Sequence, residues 1–277
     1  MNRFSSGWKK SYYGKGDVTV YRLHRDPGKG AVFGASVLIL IYGDAFWPTY
    51  TMGDNTSLVA TDSMKNFIQR ETMNFAGNDL ESYSRFIADK FMNTYPQAEG
   101  AQVTATELPY APLSSSPGLT NSSVSFAPAG PERAWARVEI TRQGAAEQRS
   151  GINGFRLLRL NGSAFTGFVR DQYTTLPDIA NRPLHMWLDL DWIGAESIAD
   201  QVRKLVREVF DGFESGSIQQ IIYQIGTKML AEMPSVTEVN LEANNRTWDT
   251  IAEQGDSVGV YTDPRPPYGC LGLSLKR

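Results

Sequence analysis

The chain has 277 residues, 41% of them hydrophobic, with 27 basic and 30 acidic residues and a formal net charge of −3. Such a length suggests about two domains with real cores, and without a dense basic block nucleic acid is excluded as the main partner. Cys270 is the only cysteine, so no intrachain disulfide can form, which fits a reducing compartment.

The opening "MNRFSSGWKKSYYGKG" has no apolar segment of signal-peptide type. The longest apolar run, Ala31 to Tyr42, falls short of the ~20 residues that span a bilayer. The closing "SLSLKR" lacks a terminal Ser-Lys-Leu address. Together these features predict a cytoplasmic protein without a membrane partner.

Strands come first. "DVTVYRLH" alternates, and "GASVLILIYG" is a continuous apolar run suited to a buried central strand. The "DPGKG" between them is expected to be a hairpin turn rather than a phosphate loop. "VATDSMKN" marks a helix start near Thr61 or Asp62, with three side-chain oxygens available to satisfy its first N–H groups. A second helix follows in "GNDLESYSRFIADKFMNTYP", where Leu80, Tyr83, Ile87 and Phe91 share a face. Strands resume at "AQVTATEL" and "AWARVEIT", and the Pro- and Ser-rich stretch from Pro109 to Arg133 reads as a surface loop.

The second half repeats this order. "GFRLLRL" and "AFTGFVRD" read as extended, and "LHMWLDLDW" alternates with Leu184, Met186, Leu188, Leu190 and Trp192 on one face. A helix with the stripe Ile198, Val202, Leu205 and Val209 precedes another opened by Ser217 and Gln220 at capping-box spacing. Strands return at "SVTEVNLEA" and near "CLGLSL". The recurring order predicts an α+β protein of two similar domains, residues 1–145 and 146–277, divided within "RQGAAEQRSG".

Familiar catalytic motifs are missing. The two histidines, His24 and His185, stand apart, no Cys/His spacing suits zinc, and there is no Gly-x-Ser-x-Gly. Three stretches retain functional interest. A helix start at Thr61 offers N–H groups and partial positive charge to an anion. "SGSIQQ" places Gln219, a donor and an acceptor, in a first helical turn. "AFTGFVRDQYTTLPDIANR" supplies Phe165 and Arg182. Each has an ordinary structural reading alone; together they suit a small, flat, anionic heterocycle.

"YGK", "GDNTSLVATDSMKN", "GFVRDQYTTL" and "ANNRTW" resemble the urate oxidases, or uricases, from about Tyr13 to near the C-terminus. The resemblance implies two tandem tunnelling-fold (T-fold) domains, each an antiparallel sheet carrying two helices. It also implies a homotetramer around a β-barrel tunnel, with active sites at subunit interfaces. The implied reaction is oxidation of urate by molecular oxygen and water to 5-hydroxyisourate and hydrogen peroxide, with no metal and no organic cofactor.

Carried over by position, Lys15 and Thr61 form the proton relay, and the Asp62 backbone contacts urate. Phe165 stacks beneath the ring, Arg182 and Gln219 grip opposite edges, and the Ile218 N–H contacts the ligand. Asn244 falls on the asparagine above the ring, where oxygen or water binds. Two residues on, many family members have a histidine; that register gives Arg246, which cannot act as a base but can serve electrostatically. Either Lys15, Thr61 and water suffice for the relay, or the register lies elsewhere. The competing readings are a pterin-processing T-fold enzyme and a non-catalytic purine-binding scaffold.

Overall fold

The computed structural model describes residues 9–113, 122–144, 146–255 and 257–277. The chain divides into two compact units, Met1–Ser150 and Gly151–Arg277. Both are α+β, and the registers assigned within each are antiparallel. Among the described residues, no helix is long and apolar enough to cross a membrane.

In the first unit, β1 (Tyr13–His24) and β2 (Ala31–Tyr42) form a hairpin. Its turn is closed by Lys29 N donating to Asp26 O at 3.0 Å, with Gly28 at φ 73°. A short helix α1 (Trp47–Met52) stops at Gly53 in the left-handed region. Helices α2 (Thr61–Glu71) and α3 (Leu80–Thr94) follow, then β3 (Gly100–Glu107). The expected loop holds a small hairpin, β4 (Tyr110–Pro112) with β5 (Phe126–Pro128), and its residues 114–121 lie outside the described set. Strand β6 (Arg133–Thr141) completes the sheet order β1-β2-β3-β6.

The apolar run in β2 is central because it is flanked on both sides: Val37, Ile39 and Ile41 are fully buried. Helix α3 buries Tyr83, Ile87 and Phe91 as its spacing predicts, and α2 adds Met64 and Ile68. Each such side chain contributes ~1.5–3 kcal/mol by leaving water.

Strand β7 (Ala146–Arg159) begins inside "RQGAAEQRSG", the stretch expected to divide the two domains. The second unit continues with β8 (Leu184–Ile193), α4 (Ala199–Asp211), α5 (Ile218–Glu232) and β9 (Glu238–Thr247). A further hairpin, β10 (Thr250–Gln254) with β11 (Val258–Tyr261), precedes β12 (Arg265–Lys276). The sheet order is β7-β8-β9-β12. The alternation read in "LHMWLDLDW" holds, with Leu184, Met186, Leu188, Leu190 and Trp192 all buried.

Helix α5 covers the face of β9 that carries Val239 and Leu241. At Gly226 the approach is close enough that an added Cβ would meet Leu275 Cδ1 at 2.8 Å and Leu241 Cδ1 at 3.1 Å. "AFTGFVRD" is not a strand; residues 161–183 form an irregular excursion pinned at isolated bridges.

Candidate active site

The sequence-selected residues gather in two sets, one in each unit. In the first, Lys15 lies on β1 just before a register shift between Lys15 and Val18, and Thr61 is the first residue of α2. One bond ties these elements together: Val59 N donates to Tyr13 Oη at 2.9 Å. Tyr13 is two residues before Lys15, and Val59 two before Thr61. The Tyr13 phenol is pushed up to about 12 by burial, which the Val59 bond opposes, so it stays neutral and can keep accepting. Gly14 has no alternative here, since a Cβ would fall 1.8 Å from Ile39 O.

Helix α2 starts without side-chain help. Its N-cap is Ala60 and no side-chain oxygen caps it, so Asp62 and Ser63 do not take the capping role that their composition suggests. The Asp62 carboxylate instead accepts from Lys65 Nζ at 2.5 Å and Asn66 Nδ2 at 3.0 Å. Lys65 holds this carboxyl below the usual range, with smaller pulls from Asn66 and Lys15, which puts the Lys15 ammonium within electrostatic reach of the helix start. Thr61, Asp62 and Ser63 are exposed at this helix end, where the first-turn N–H groups have no intrahelical partner.

The second set is a cavity of about 300 Å³ lined by Phe165, Leu176, Arg182, Ile218, Gln219, Asn245, Gly269, Cys270 and Leu271. That volume is at the lower end of the ~300–1,000 Å³ typical of small-molecule sites. Backbone bonds bring these residues together. Ala164 N donates to Ser215 O at 2.8 Å, and Ser215 N to Gly162 O at 2.9 Å, which fixes the start of the excursion against the approach to α5. Phe165 and Ile179 exchange bonds of 2.8 and 3.0 Å, and Arg182 N donates to Ser163 O at 2.9 Å. The excursion therefore folds back on itself and sets Arg182 beside Phe165, with the guanidinium carbon 5.7 Å from the ring centroid.

At the other wall, Ser217 caps α5 by accepting from Gln220 N at 3.2 Å, while Gln220 Oε1 accepts from Gly216 N at 2.8 Å. With Gln220 used in this way, the neighbouring Gln219 side chain is left to line the cavity.

Arg182 is half-buried and makes no ion pair among the described residues, and its Nε is buried without a partner. Burial lowers its pKa, but a guanidinium stays charged. An unpaired cation, an amide and a phenylalanine ring in one cavity suit a planar anion. Arg182 also borders a second cavity, of about 750 Å³, with Asn181, Glu253 and Tyr261.

Asn244 is not among the cavity's lining residues; Asn245 is. Successive residues of a strand point to opposite faces, and Asn245 shares its face with the buried Val239, Leu241 and Ala243. That alternation was the signal available for finding it. Asn244 and Arg246 occupy the other face: Arg246 pairs with His185 across the ladder, and its guanidinium lies between the rings of Trp187 and Tyr268, 4.0 and 3.9 Å from their centroids. Among the described residues no group of three or more His, Cys, Asp or Glu is placed to hold a metal ion.

The uricase family profile matches residues 148–271. The chain is 37% identical to the uric acid degradation bifunctional protein PucL of Bacillus subtilis over 96% of its own length, but it spans only 60% of that relative. A uricase of Haloferax volcanii is 34% identical, over 96% of this chain and 97% of its own. Among solved structures, Bacillus sp. TB-90 urate oxidase superposes with a TM-score of 0.87 at 34% identity, covering 96% of this chain and 100% of its own. On this sequence and structural likeness over nearly the whole chain, the protein belongs to the uricase family.

Proposed function

We propose that this chain oxidises urate with molecular oxygen and water to 5-hydroxyisourate and hydrogen peroxide, needing neither metal nor organic cofactor. The observation that carries the reading is the convergence of Arg182, Gln219 and Phe165 on one cavity.

The chemistry starts from the substrate. Urate is acidic, and its delocalised anion is electron-rich, so the purine itself supplies the two electrons that reduce oxygen to peroxide. Water adds its oxygen to the oxidised ring, and the protons released complete the hydrogen peroxide. The protein has to hold the anion flat, remove a further proton and keep oxygen over the ring.

Arg182 provides two parallel charge-assisted hydrogen bonds to one edge. Gln219 pairs the opposite edge, the Ile218 N–H adds a backbone contact, and Phe165 sets the plane by stacking. Asn245, on the cavity side of β9, fits the amide above the ring better than Asn244 does. Counting two residues on from Asn245 then reaches Thr247, a hydroxyl, rather than Arg246.

Lys15 and Thr61 form the proton relay, with the Asp62 backbone as a further contact. Following the resemblance, this set from one copy completes the cavity of another within a T-fold homotetramer whose sheets close a barrel tunnel. A helix start without a side-chain cap supports this placement, since its N–H groups remain available to an anionic ligand.

Urate added to the purified protein in excess chelator tests the proposal. Loss of the urate ultraviolet band with equimolar oxygen uptake and peroxide release is expected. Binding without turnover would point to a scaffold, and chelator-sensitive turnover of a pterin to a different enzyme.

A further inference from the structure

On the sheet face of the second unit opposite the Arg182 cavity, a second cationic cluster has no part in the chemistry above. Arg246 is sandwiched between Trp187 and Tyr268, and Arg156 of β7 lies over the same Trp187 ring at 4.7 Å. The register shift in β12 between Arg265 and Gly269 is what swings Tyr268 over Arg246. His185, the ladder partner of Arg246, stacks on Trp248 at 5.9 Å, and Trp248 stacks on Tyr261 at 4.9 Å.

Two features of this cluster are unusual. Neither Arg156 nor Arg246 forms an ion pair or hydrogen bond among the described residues, although two guanidinium groups on one indole repel each other. In addition, three nitrogens of the cluster are buried without partners: Arg246 Nε, Trp187 Nε1 and His185 Nδ1. Buried donors without acceptors cost free energy, as do neighbouring cations without a counter-charge. The nearest carboxylates along these strands do not relieve it. Asp189 accepts from Gly154 N at 2.7 Å, and Glu242 lies four residues back on β9. Burial, Arg156 and Arg246 together lower the His185 pKa, in keeping with a site short of negative charge.

We propose that this face binds a small oxyanion, held by the planar guanidinium of Arg246 and by Arg156, with the Trp187 indole N–H as a neutral donor. The aromatic sandwich fixes the Arg246 plane, so its N–H fork is pre-set for the two oxygens of one ligand, which a lysine would not reproduce. The inference stands apart from the urate reading, because none of these side chains lines the Arg182 cavity.

The test is calorimetric titration of inorganic phosphate, and separately of acetate, into the full chain at constant ionic strength. Saturable binding at one site per chain is expected for at least one of the two anions; the arm that binds identifies the oxyanion class. Arg246→Gln should weaken it about tenfold or more, the effect of losing charge-assisted bonds. Arg246→Lys should weaken it severalfold despite the retained charge, and Arg182→Gln should leave it unchanged. If Arg246→Gln does not fold, Arg156→Gln at the exposed rim carries the comparison, with a severalfold loss expected. Absence of saturable binding would overturn the proposal. So would binding that survives in Arg246→Gln and Arg156→Gln, or binding abolished by Arg182→Gln, which would assign the anion to the other cavity.

Discussion

Arg182→Gln is the substitution from which most can be worked out. The wild-type guanidinium is half-buried, its backbone is held by Ser163, and it has no carboxylate partner among the described residues. Glutamine has a similar reach but no charge and no fork. A hydrogen bond to a charged group is worth ~1.5–3 kcal/mol, so losing a parallel pair costs ~3–6 kcal/mol of ligand binding. That corresponds to a rise in Kd of roughly two to four orders of magnitude. These bonds exist in the ground and transition states alike, so KM should rise far more than kcat falls. The fold should not suffer, because an uncompensated, partly desolvated cation is being removed. The assay is calorimetric binding of a non-reacting purine analogue, paired with urate kinetics and a thermal melt. A Kd within about threefold of wild type, with the melt unchanged, would refute the assignment of Arg182 to the ligand edge.

Asn245→Ala should reduce urate turnover by tenfold or more, against little change for Asn244→Ala, as measured by steady-state oxygen uptake; the reverse ranking would restore the register that Asn244 implies. Cys270 is exposed and is the ladder partner of Asn244, with its thiol 4.0 Å from Asn244 Oδ1 and hence on the face away from the cavity, so a small thiol alkylator should label it at a rate that a bound purine analogue leaves unchanged, read by intact-mass spectrometry. Tyr83 is fully buried and its phenol is pushed up to about 12 by burial. A raised folded-state value means that stability is intact below the unfolded value near ~10 and falls as pH climbs towards 12, by ~1.4 kcal/mol per unit. Denaturant midpoints across that window should therefore decline less steeply in Tyr83→Phe.

Much of the fold was legible because periodicity carries burial directly. The β2 run, the Tyr83/Ile87/Phe91 stripe and the β8 alternation each emerge as written in the sequence. The Ser217–Gln220 capping pair was equally legible, since it is local chemistry. What the residues did not announce was non-local or degenerate. "RQGAAEQRSG" has linker composition, yet β7 draws its end into a sheet. Thr61, Asp62 and Ser63 suggest a cap, but Asp62 is claimed by Lys65 and Asn66 one turn further on. The β10–β11 hairpin is exposed and lacks a hydrophobic stripe strong enough to announce it. At the site, two adjacent asparagines made the register ambiguous by one residue, and in a strand one residue exchanges the faces. The burial of Val239, Leu241 and Ala243 puts Asn245, not Asn244, on the core side of β9.

The central claim is that a purine anion is gripped by Arg182 of one copy and deprotonated by Lys15 of another. Co-expression of Lys15→Met and Arg182→Gln chains under separate tags, with urate turnover measured on the doubly purified hybrid, tests it directly. Each variant alone should be nearly inactive at limiting urate, whereas the hybrid should recover activity approaching about a quarter of wild type, since random pairing joins two intact halves at that frequency. A hybrid containing both chains that remained as inactive as its parents would contradict the account.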